Sequence, residues 1–259
     1  MDQPKMNDFK EKLEQNKKIY GIMIKDFINS AIVPLLIESG YDFIVLDCEH
    51  SGGTFSDIQN LAIAAKNTNL QIIVRPASLS YEHIARTLDM GADGLMIPHI
   101  DTKKEAEKVI EYAKYPPLGK RGYGMRRYLS KFDSNSSADY KKKANSLTTI
   151  FIQIESELGA NNIENILDVE AIDGLIIGPA DFTLDLGCIG EYNNERFVSL
   201  AERVWKTANN KSVSFGIHFS DLNQIKKWSE KGMNILMYSS ISNILSDETK
   251  DLVQKMKCN

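Results

Sequence analysis

The chain has 259 residues, of which 42% are hydrophobic and 25% charged, an ordinary composition for a globular protein able to bury a substantial core. Its formal charge is −4 and no long tract is rich in lysine and arginine, which argues against a nucleic-acid partner. No apolar run approaches the length of a membrane span, so we expect no membrane partner either.

The amino-terminal segment MDQPKMNDFKEKLEQNKK is polar and charged, unlike a signal peptide. The cysteines, Cys48, Cys188 and Cys258, are odd in number and lack metal-ligand spacing. We therefore expect a reduced, cytoplasmic protein. A barrel of this length is routinely one domain, and we expect a single domain over residues 1–259.

Short apolar runs alternate along the chain with helical patterns. The runs are IYGIMIK (19–25), FIVLD (43–47), QIIVRP (71–76), GLMIPH (94–99), TIFIQIE (149–155), GLIIGP (174–179), SFGIHF (214–219) and NILMYSS (234–240). Such nearly continuous apolar strands suit a parallel sheet buried on both faces. Helical patterns such as TKKEAEKVIEYAKY lie between them, and Gly40, Gly91 and Gly232 stand where helix C-caps are expected. This alternation predicts an α/β fold, a (β/α)8 TIM barrel, with a doubly wound open sheet as the alternative.

One stretch, from Tyr115 to Ser146, is too long for a plain connection. Its glycines 119, 122 and 124 would let the backbone approach a ligand closely. Arg121, Arg126 and Arg127 add positive charge suited to a carboxylate or a phosphate. We expect a binding loop or lid here, with a solvated surface loop as the alternative.

Polar and charged residues collect where the predicted strands end, which is where barrel enzymes carry their chemistry. They are Asp47, Glu49, His50, Arg75, His99, Glu155, Asp181 and His218. Few of them would be chosen for packing, so they predict a site at the carboxyl end of the barrel.

Glu155 and Asp181 are hard oxygen ligands that follow two neighbouring strands. They suit an octahedral divalent ion such as Mg²⁺ or Mn²⁺, with water and substrate completing the coordination. The alternative is that they form salt bridges with Arg75 or remain solvated loop charges.

The histidines divide into one candidate and three without an assigned role. His50 is a candidate general base, with Asp47 oriented to hold its ring, although a structural histidine is the alternative. His83 lies in a helical pattern and is interpreted as a surface or packing residue. His99 and His218 are expected to line the pocket.

Six motifs in order resemble those of the HpcH/HpaI aldolases: FIVLDCEH, VRP, LDMGADGLMIPH, YPPLGKRGYG, FIQIE and GLIIGPADF. The resemblance runs from about Tyr20 to Tyr238. It implies a phosphoenolpyruvate/pyruvate-type barrel, a divalent metal ion (Mg²⁺, Mn²⁺ or Co²⁺) and a homohexamer. The chain departs from the family at Cys48, where glycine is usual, and in MRRYLSKFDSNSS after the glycine-rich loop.

The resemblance also implies residue roles. By motif position Glu155 and Asp181 are the metal ligands, and His50, with Asp47 beside it, is the base. Arg75 binds the keto oxygen of the substrate, and Gln153 lies in the pocket. The backbone at Ala180 and Asp181 receives the pyruvate carboxylate.

These parts predict an aldolase that cleaves or forms a 4-hydroxy-2-oxo acid, giving pyruvate and an aldehyde through a metal-stabilised pyruvate enolate. Arg75 would add positive charge, and His50 would take the proton from the C4 hydroxyl. A Schiff-base aldolase is less favoured because no lysine follows strands five or six, although Lys25 ends strand one. Oxaloacetate-type decarboxylation and a non-catalytic oxo-acid-binding barrel are the remaining alternatives.

Asp89, in TLDMGADG, lies near the end of the helix after the third strand. That helix descends by about 13–15 Å at 1.5 Å per residue, so Asp89 cannot reach its own site. An acid in the last turn of a helix also opposes the helix dipole. The resemblance implies that Asp89 completes the active site of a neighbouring subunit, beside its His50; a tolerated surface charge or a bridge to a lysine is the alternative.

Overall fold

The computed structural model describes residues 8–124, 129–132 and 134–257, in which eight parallel strands close into a barrel in sequence order. The strands are β1 (Ile19–Ile24), β2 (Phe43–Asp47), β3 (Gln71–Arg75), β4 (Gly94–Ile97), β5 (Thr149–Ile154), β6 (Gly174–Ile177), β7 (Ser214–Phe219) and β8 (Ile235–Ser240). The TIM-barrel prediction is confirmed, and the open-sheet alternative is excluded.

Helices separate the strands along the chain. They are α1 (Asp8–Glu14), α2 (Ile32–Glu38), α3 (Phe55–Ala65), α4 (Tyr81–Asp89), α5 (Lys103–Ala113), α6 (Ser137–Leu147), α7 (Glu157–Asn161), α8 (Ile163–Ile166), α9 (Pro179–Asp185), α10 (Glu195–Asn210), α11 (Leu222–Glu230) and α12 (Ile241–Lys257). Gly40, Gly91 and Gly232 follow α2, α4 and α11 with φ of 84°, 100° and 110°, so the predicted caps are confirmed.

The strands are buried on both faces, because their side chains point alternately into two apolar layers. One layer fills the barrel interior and includes Met23, Val45, Ile73, Phe151 and Met237. The other lies between the strands and the surrounding helices. The interior is closed at the amino-terminal end by α1, whose Phe9 ring packs edge-on against Phe43 at 5.7 Å. Among the described residues, α1 covers the amino-terminal end of the interior, and a cavity reaches the interior residue Met23 where the strands end.

The register of the strands places their last residues side by side. Asp47 pairs with Arg75 between β2 and β3, and Ile154 pairs with Ile177 between β5 and β6. Glu155 and Gly178 each follow the last residue of a strand in that second pair. Strand register thus brings two polar clusters together on the rim, one with Asp47 and Arg75 and one with Glu155.

The segment between α5 and β5 differs from the prediction. Residues 137–147 form α6, whose Ser136 cap accepts a hydrogen bond from the amide of Asp139. The glycine-rich part lies beside the last turn of α5, at the amino-terminal end of the barrel. A Cβ atom added at Gly119 would lie 2.6 Å from the carbonyl oxygen of Ile110 in that helix. α5 runs down the barrel and therefore delivers this loop to the end opposite the strand ends of its own chain. That these glycines let the backbone approach a ligand closely stays a prediction.

None of the described helices combines the length and the apolar character that crossing a bilayer requires.

Candidate active site

A cavity of about 210 Å³ opens at the carboxyl end of the barrel. Four of the eight residues predicted from the strand ends line it, His50, Arg75, Asp181 and His218, and Gln153 and Ala180 line it as well. Residues from β1, β3, β5, β7 and β8, and from the segment that follows β6, meet there because the barrel is closed. Asp47 and Glu155 lie buried behind this surface, at 0% and 4% exposure.

Asp47 and Arg75 form a buried ion pair at the ends of β2 and β3. The Arg75 Nε and Nη2 atoms donate to Oδ1 and Oδ2 of Asp47, at 3.0 and 2.7 Å. The amides of Glu49 and His50 donate to the same Oδ1. Burial raises the pKa of the Asp47 carboxyl, but the hydrogen bonds and charge of Arg75 outweigh burial and hold that pKa below its ordinary value.

The prediction that Asp47 orients the His50 ring is wrong. Asp47 touches only the backbone amide of His50, and the His50 ring carries its Nε2 atom 3.7 Å from Glu49 Oε2. Asp47 therefore shapes the turn that carries His50 and holds Arg75, while the imidazole itself is 54% exposed at the cavity.

Glu49 and His99 connect the two polar clusters, a role that we did not predict for either residue. Glu49 Oε1 is 3.0 Å from His99 Nε2, and Glu49 Oε2 is 3.3 Å from Arg75 Nε. His99 in turn places Nδ1 2.9 Å from Glu155 Oε1 and donates its amide to that oxygen at 2.8 Å. The residue has a φ of 55°, an uncommon conformation for a side chain other than glycine, which lets its amide and its ring meet the same carboxylate.

Glu155 is a buried carboxylate. In residues 8–124, 129–132 and 134–257, no lysine or arginine side chain forms a bond with it. It accepts from His99 and from Gln153 Nε2. Burial raises the pKa of Glu155, the His99 ring and the hydrogen bonds oppose that rise, and the nearby Asp181 carboxylate adds to it. The predicted alternative, a salt bridge of Glu155 or Asp181 with Arg75, is not formed, since Arg75 is committed to Asp47 and Glu49.

Gly178 lets the end of β6 pass directly over this carboxylate. A Cβ atom at Gly178 would lie 2.5 Å from Glu155 Oε2 and 2.6 Å from Gln153 Nε2. The next residues, Pro179, Ala180 and Asp181, form the first turn of α9. Amides in a first helical turn have no intrahelical acceptor, so Ala180 and Asp181 present free N–H groups and one carboxylate beside Glu155.

The donor set around Glu155 and Asp181 fits a divalent cation. Within the described ranges no cluster of three His, Cys, Asp or Glu side chains is preformed, so two carboxylates would leave positions for water and substrate. Four carboxylates face two permanent cations at this rim: Asp47, Glu49, Glu155 and Asp181 against Lys25 and Arg75. A divalent ion would balance that charge and relieve the repulsion between Glu155 and Asp181, which adds to the effect of burial on the pKa of Glu155.

The remaining histidines have distinct settings. The His218 ring donates from Nε2 to the Ser239 carbonyl at 2.9 Å, and burial lowers its pKa to about 4. His83 stacks on Phe55 with ring centroids 6.1 Å apart and does not line the cavity, as expected for a packing residue.

Asp89 lies at the opposite end of the barrel. It lines a second cavity together with Gln71, which begins β3, and Thr148, which precedes β5. Arg121 Nη2 donates to Asp89 Oδ1 at 2.6 Å, and the Arg121 guanidinium stacks 4.7 Å above the Tyr115 ring. The positive charge of Arg121 is thus compensated within the chain rather than free for a ligand. Arg126, Arg127 and Cys258, named in the sequence predictions, lie outside the described residues.

Comparison with known proteins places this arrangement in a family. Residues 27–242, which include β2 to β8, match the family model described as HpcH/HpaI aldolase/citrate lyase. A 2-keto-3-deoxy-L-rhamnonate aldolase of Escherichia coli O17:K52:H18 (strain UMN026) is 34% identical over 181 residues, which make up 70% of this chain and 67% of that protein.

Solved structures agree with this assignment. An HpcH/HpaI aldolase from Desulfitobacterium hafniense DCB-2 superposes with a TM-score of 0.90 at 32% identity, covering 96% of each chain. An HpcH/HpaI aldolase/citrate lyase family protein from Burkholderia cenocepacia J2315 superposes with a TM-score of 0.87 at 25% identity, covering 97% of this chain and 99% of that one. The chain therefore belongs to the HpcH/HpaI aldolase/citrate lyase family and is a carbon–carbon lyase.

Proposed function

We propose that the enzyme cleaves a 4-hydroxy-2-oxo acid to pyruvate and an aldehyde, or forms it from them, with a divalent metal ion held by Glu155 and Asp181. The observation that carries the proposal is the convergence of these two carboxylates, one buried with a raised pKa, beside the free amides of α9 and across the cavity from Arg75. A site built to bind a negatively charged oxo acid without metal would not place two acids at its centre.

A bound divalent ion would supply Lewis-acid polarisation of the carboxylate and keto oxygens of the substrate. Ala180 and Asp181 contribute amides that receive the carboxylate. Arg75 contributes positive charge where the keto oxygen gains electron density. Its Nη1 atom has no hydrogen-bond partner among the described residues, whereas Nε and Nη2 are taken by Asp47. Asp47 thereby fixes the orientation of the guanidinium and leaves its Nη1 atom to bind the substrate.

His50 is proposed as the base that removes the C4 hydroxyl proton in the cleavage direction. The C3–C4 bond then breaks, C4 leaves as the aldehyde carbonyl, and the electron pair remains on the pyruvate fragment until a proton is returned to C3. Because the His50 ring is largely exposed at the cavity and free of Asp47, it can reach a substrate hydroxyl without disturbing the ion pair.

The enzyme is further proposed to be a homo-oligomer, with hexamers as the expected form. Among the described helices α12 is unusual, since none of its residues is buried. It exposes Leu245, Leu252, Val253 and Met256 at 49%, 54%, 43% and 68%. Tyr20 of β1 is also exposed, at 47%, although it lies on a barrel strand. Apolar surface of this extent supports association with further copies of the chain.

The proposed reaction is tested by incubating pyruvate with a panel of aldehydes, and by offering 2-keto-3-deoxy-L-rhamnonate for cleavage, with and without Mg²⁺, Mn²⁺ or Co²⁺. We expect aldol products only when metal is present, and exchange of the pyruvate methyl protons with D₂O in the absence of aldehyde. Release of carbon dioxide from oxaloacetate without any aldol product would favour a decarboxylase instead. Full activity in excess chelator would rule out the metal mechanism.

Variants assign the metal to its ligands. Glu155→Gln and Asp181→Asn should each weaken Mn²⁺ binding measured by calorimetry, because each removes one anionic oxygen donor. Asp168→Asn is the matched control, since that acid pairs with Lys211 on the surface. Unchanged Mn²⁺ affinity in both site variants would place the metal elsewhere.

A further inference from the structure

The active-site cavity has a second wall, to which the proposed function assigns no contact with the oxo acid. The oxo acid is assigned to groups from β3, β5 and the start of α9. The opposite side of the same cavity is lined by Lys25, His218, Ser220, Ser239, Ser240 and Asn243, which follow or belong to β1, β7 and β8. We call these six residues the β7–β8–β1 wall. An aldehyde entering the cavity beside the oxo acid must pack against it.

Lys25 is the one permanent charge on this wall. Three of the other members are serines and one is an asparagine. His218 is neutral at pH 7, since burial lowers its pKa to about 4 and its Nε2–H is held by the Ser239 carbonyl. Of the described residues that line the cavity, the single acid is Asp181, on the opposite side. The wall therefore presents one cation among neutral hydrogen-bonding groups.

The Lys25 ammonium donates no hydrogen bond to the described part of the protein. Its nearest anionic atom is Asp47 Oδ2, at 3.8 Å, which is beyond hydrogen-bonding distance. Asp47 already accepts from Arg75 and from the amides of Glu49 and His50. Lys25 Nζ has no hydrogen-bond acceptor in the part of the chain that the structure describes, and its side chain is 34% exposed within the cavity mouth. Three donors thus remain for a ligand.

We infer that Lys25 determines the aldehyde specificity of the enzyme by binding a carboxylate on the aldehyde partner. The preferred second substrate is then an aldehyde that carries a carboxylate, and the serine hydroxyls of the wall would receive its remaining oxygens. This inference rests on the proposed function, because it assumes that an aldehyde meets pyruvate in this cavity. It adds no chemical step, since the ammonium binds the carboxylate and exchanges no proton with it.

The test compares aldehydes of equal carbon number with and without a carboxylate. The pairs are glyoxylate with glycolaldehyde, and succinic semialdehyde with butanal. For the wild-type holoenzyme with pyruvate, we expect a higher kcat/KM for the anionic member of at least one pair. Lys25→Met should lower the anionic-to-neutral ratio of kcat/KM about 10- to 100-fold, the usual cost of losing a charge-assisted hydrogen bond. Lys25→Arg should restore most of the ratio, because it keeps the charge.

Lys206→Met is the matched control, because Lys206 is exposed on α10, away from the cavity. A ratio that stays within twofold of wild type in Lys25→Met would overturn the inference, even if both rates fall, since a purely structural lysine affects both aldehydes alike. If Lys25→Met does not fold, the ratio in Lys25→Gln decides by the same criterion. Failure of the proposed function is distinguishable, because wild-type enzyme would then give no aldol product with any of the four aldehydes.

Discussion

The guanidinium of Arg75 and the carboxylate of Asp47 are joined by two hydrogen bonds, and the two residues are also register partners on adjacent strands. Neither side chain is more than 6% exposed. The backbone therefore sets the separation of the pair before the side chains form it. This relationship gives Arg75 one orientation at the cavity, and it explains why a buried acid stands at the end of β2.

Asp47→Asn should destabilise the protein and impair catalysis together. Breaking a buried ion pair costs up to about 3–5 kcal/mol, and Glu49, 3.3 Å from Arg75 Nε, would compensate the remaining guanidinium charge only in part. We expect a lower urea midpoint and a kcat/KM reduced by at least about tenfold, through loss of Arg75 orientation. Asp26→Asn is the control, since Asp26 is exposed beside the same rim. A variant of full stability and activity would show that Arg75 is positioned by Glu49 alone.

The order of the barrel could be predicted from the sequence because strand formation here is a local property. FIVLD and SFGIHF match β2 and β7 in both bounds, and the other strands differ by one or two residues. The long connection was harder. The helix over 137–147 carries a weak apolar face with Tyr140 and Ala144 as its buried residues, so periodicity alone did not reveal it.

Gly178→Ala should displace Glu155 while leaving the backbone unstrained. Gly178 has a φ of −89°, which alanine adopts readily, so the effect arises from space rather than conformation. The added methyl would overlap Glu155 Oε2 and Gln153 Nε2. We expect weaker Mn²⁺ binding by calorimetry and a loss of at least about tenfold in kcat/KM, with a stability change of about 1–3 kcal/mol. Gly52→Ala is the control, since nothing lies within 4 Å of its added Cβ. Equal metal affinity in the two variants would contradict this account.

The candidate site was predictable as a set of residues but not as a set of contacts. Strand ends in a parallel barrel converge, so Arg75, Glu155 and Asp181 could be assigned to one mouth from spacing alone. The partner of each side chain depends on directions that spacing does not contain. His99 reaches Glu155 through a positive φ, and Asp47 turns to Arg75 rather than to the neighbouring His50 ring.

His50→Ala should lower the rate by about 10²–10⁴-fold, the usual range for loss of a general base. Metal and pyruvate binding should persist, since neither depends on the proton transfer, and both can be followed by calorimetry. His83→Ala provides the control, because His83 packs on Phe55 outside the cavity. Near-normal turnover of His50→Ala would require another base, with His99 and His218 next to be tested.

His218 should make the protein less stable as the pH falls. The pKa of His218 is lowered from 6.5 to about 4 by burial, with smaller contributions from Lys25 and Arg75 that lower it and from the Ser239 carbonyl and Asp47 that raise it. Between these values the unfolded chain binds the proton and the folded chain does not, so stability declines as pH drops through 6.5 and levels off below about 4. We expect about 1–3 kcal/mol of this decline to be absent in His218→Gln, measured by urea unfolding across that range. Parallel curves for the two proteins would show that folding does not lower the pKa of His218.

Asp89 offers a test of whether the active sites are shared between subunits. The residue ends α4 at the amino-terminal end of the barrel, far from the rim that carries His50, and 26% of its side chain is exposed. Its bond to Arg121 explains how an acid is tolerated in the last turn of a helix, and the same bond would hold the carboxylate ready for a neighbouring chain. We propose that it approaches His50 of an adjacent subunit in the oligomer.

Arg75→Ala and Asp89→Ala should each be poorly active alone and should recover activity after dissociation, mixing and reassembly. A site in the mixture is intact when an Asp89→Ala subunit, which retains Arg75, faces an Arg75→Ala subunit, which retains Asp89. Random one-to-one exchange produces this combination at about a quarter of interfaces, so about a quarter of wild-type activity is expected. Arg75→Ala mixed with Glu155→Ala is the matched control and should stay inactive, because both residues belong to the rim of the same chain. If hybrids shown by mass to have exchanged subunits recover nothing, then Asp89 acts only through Arg121 within its own barrel.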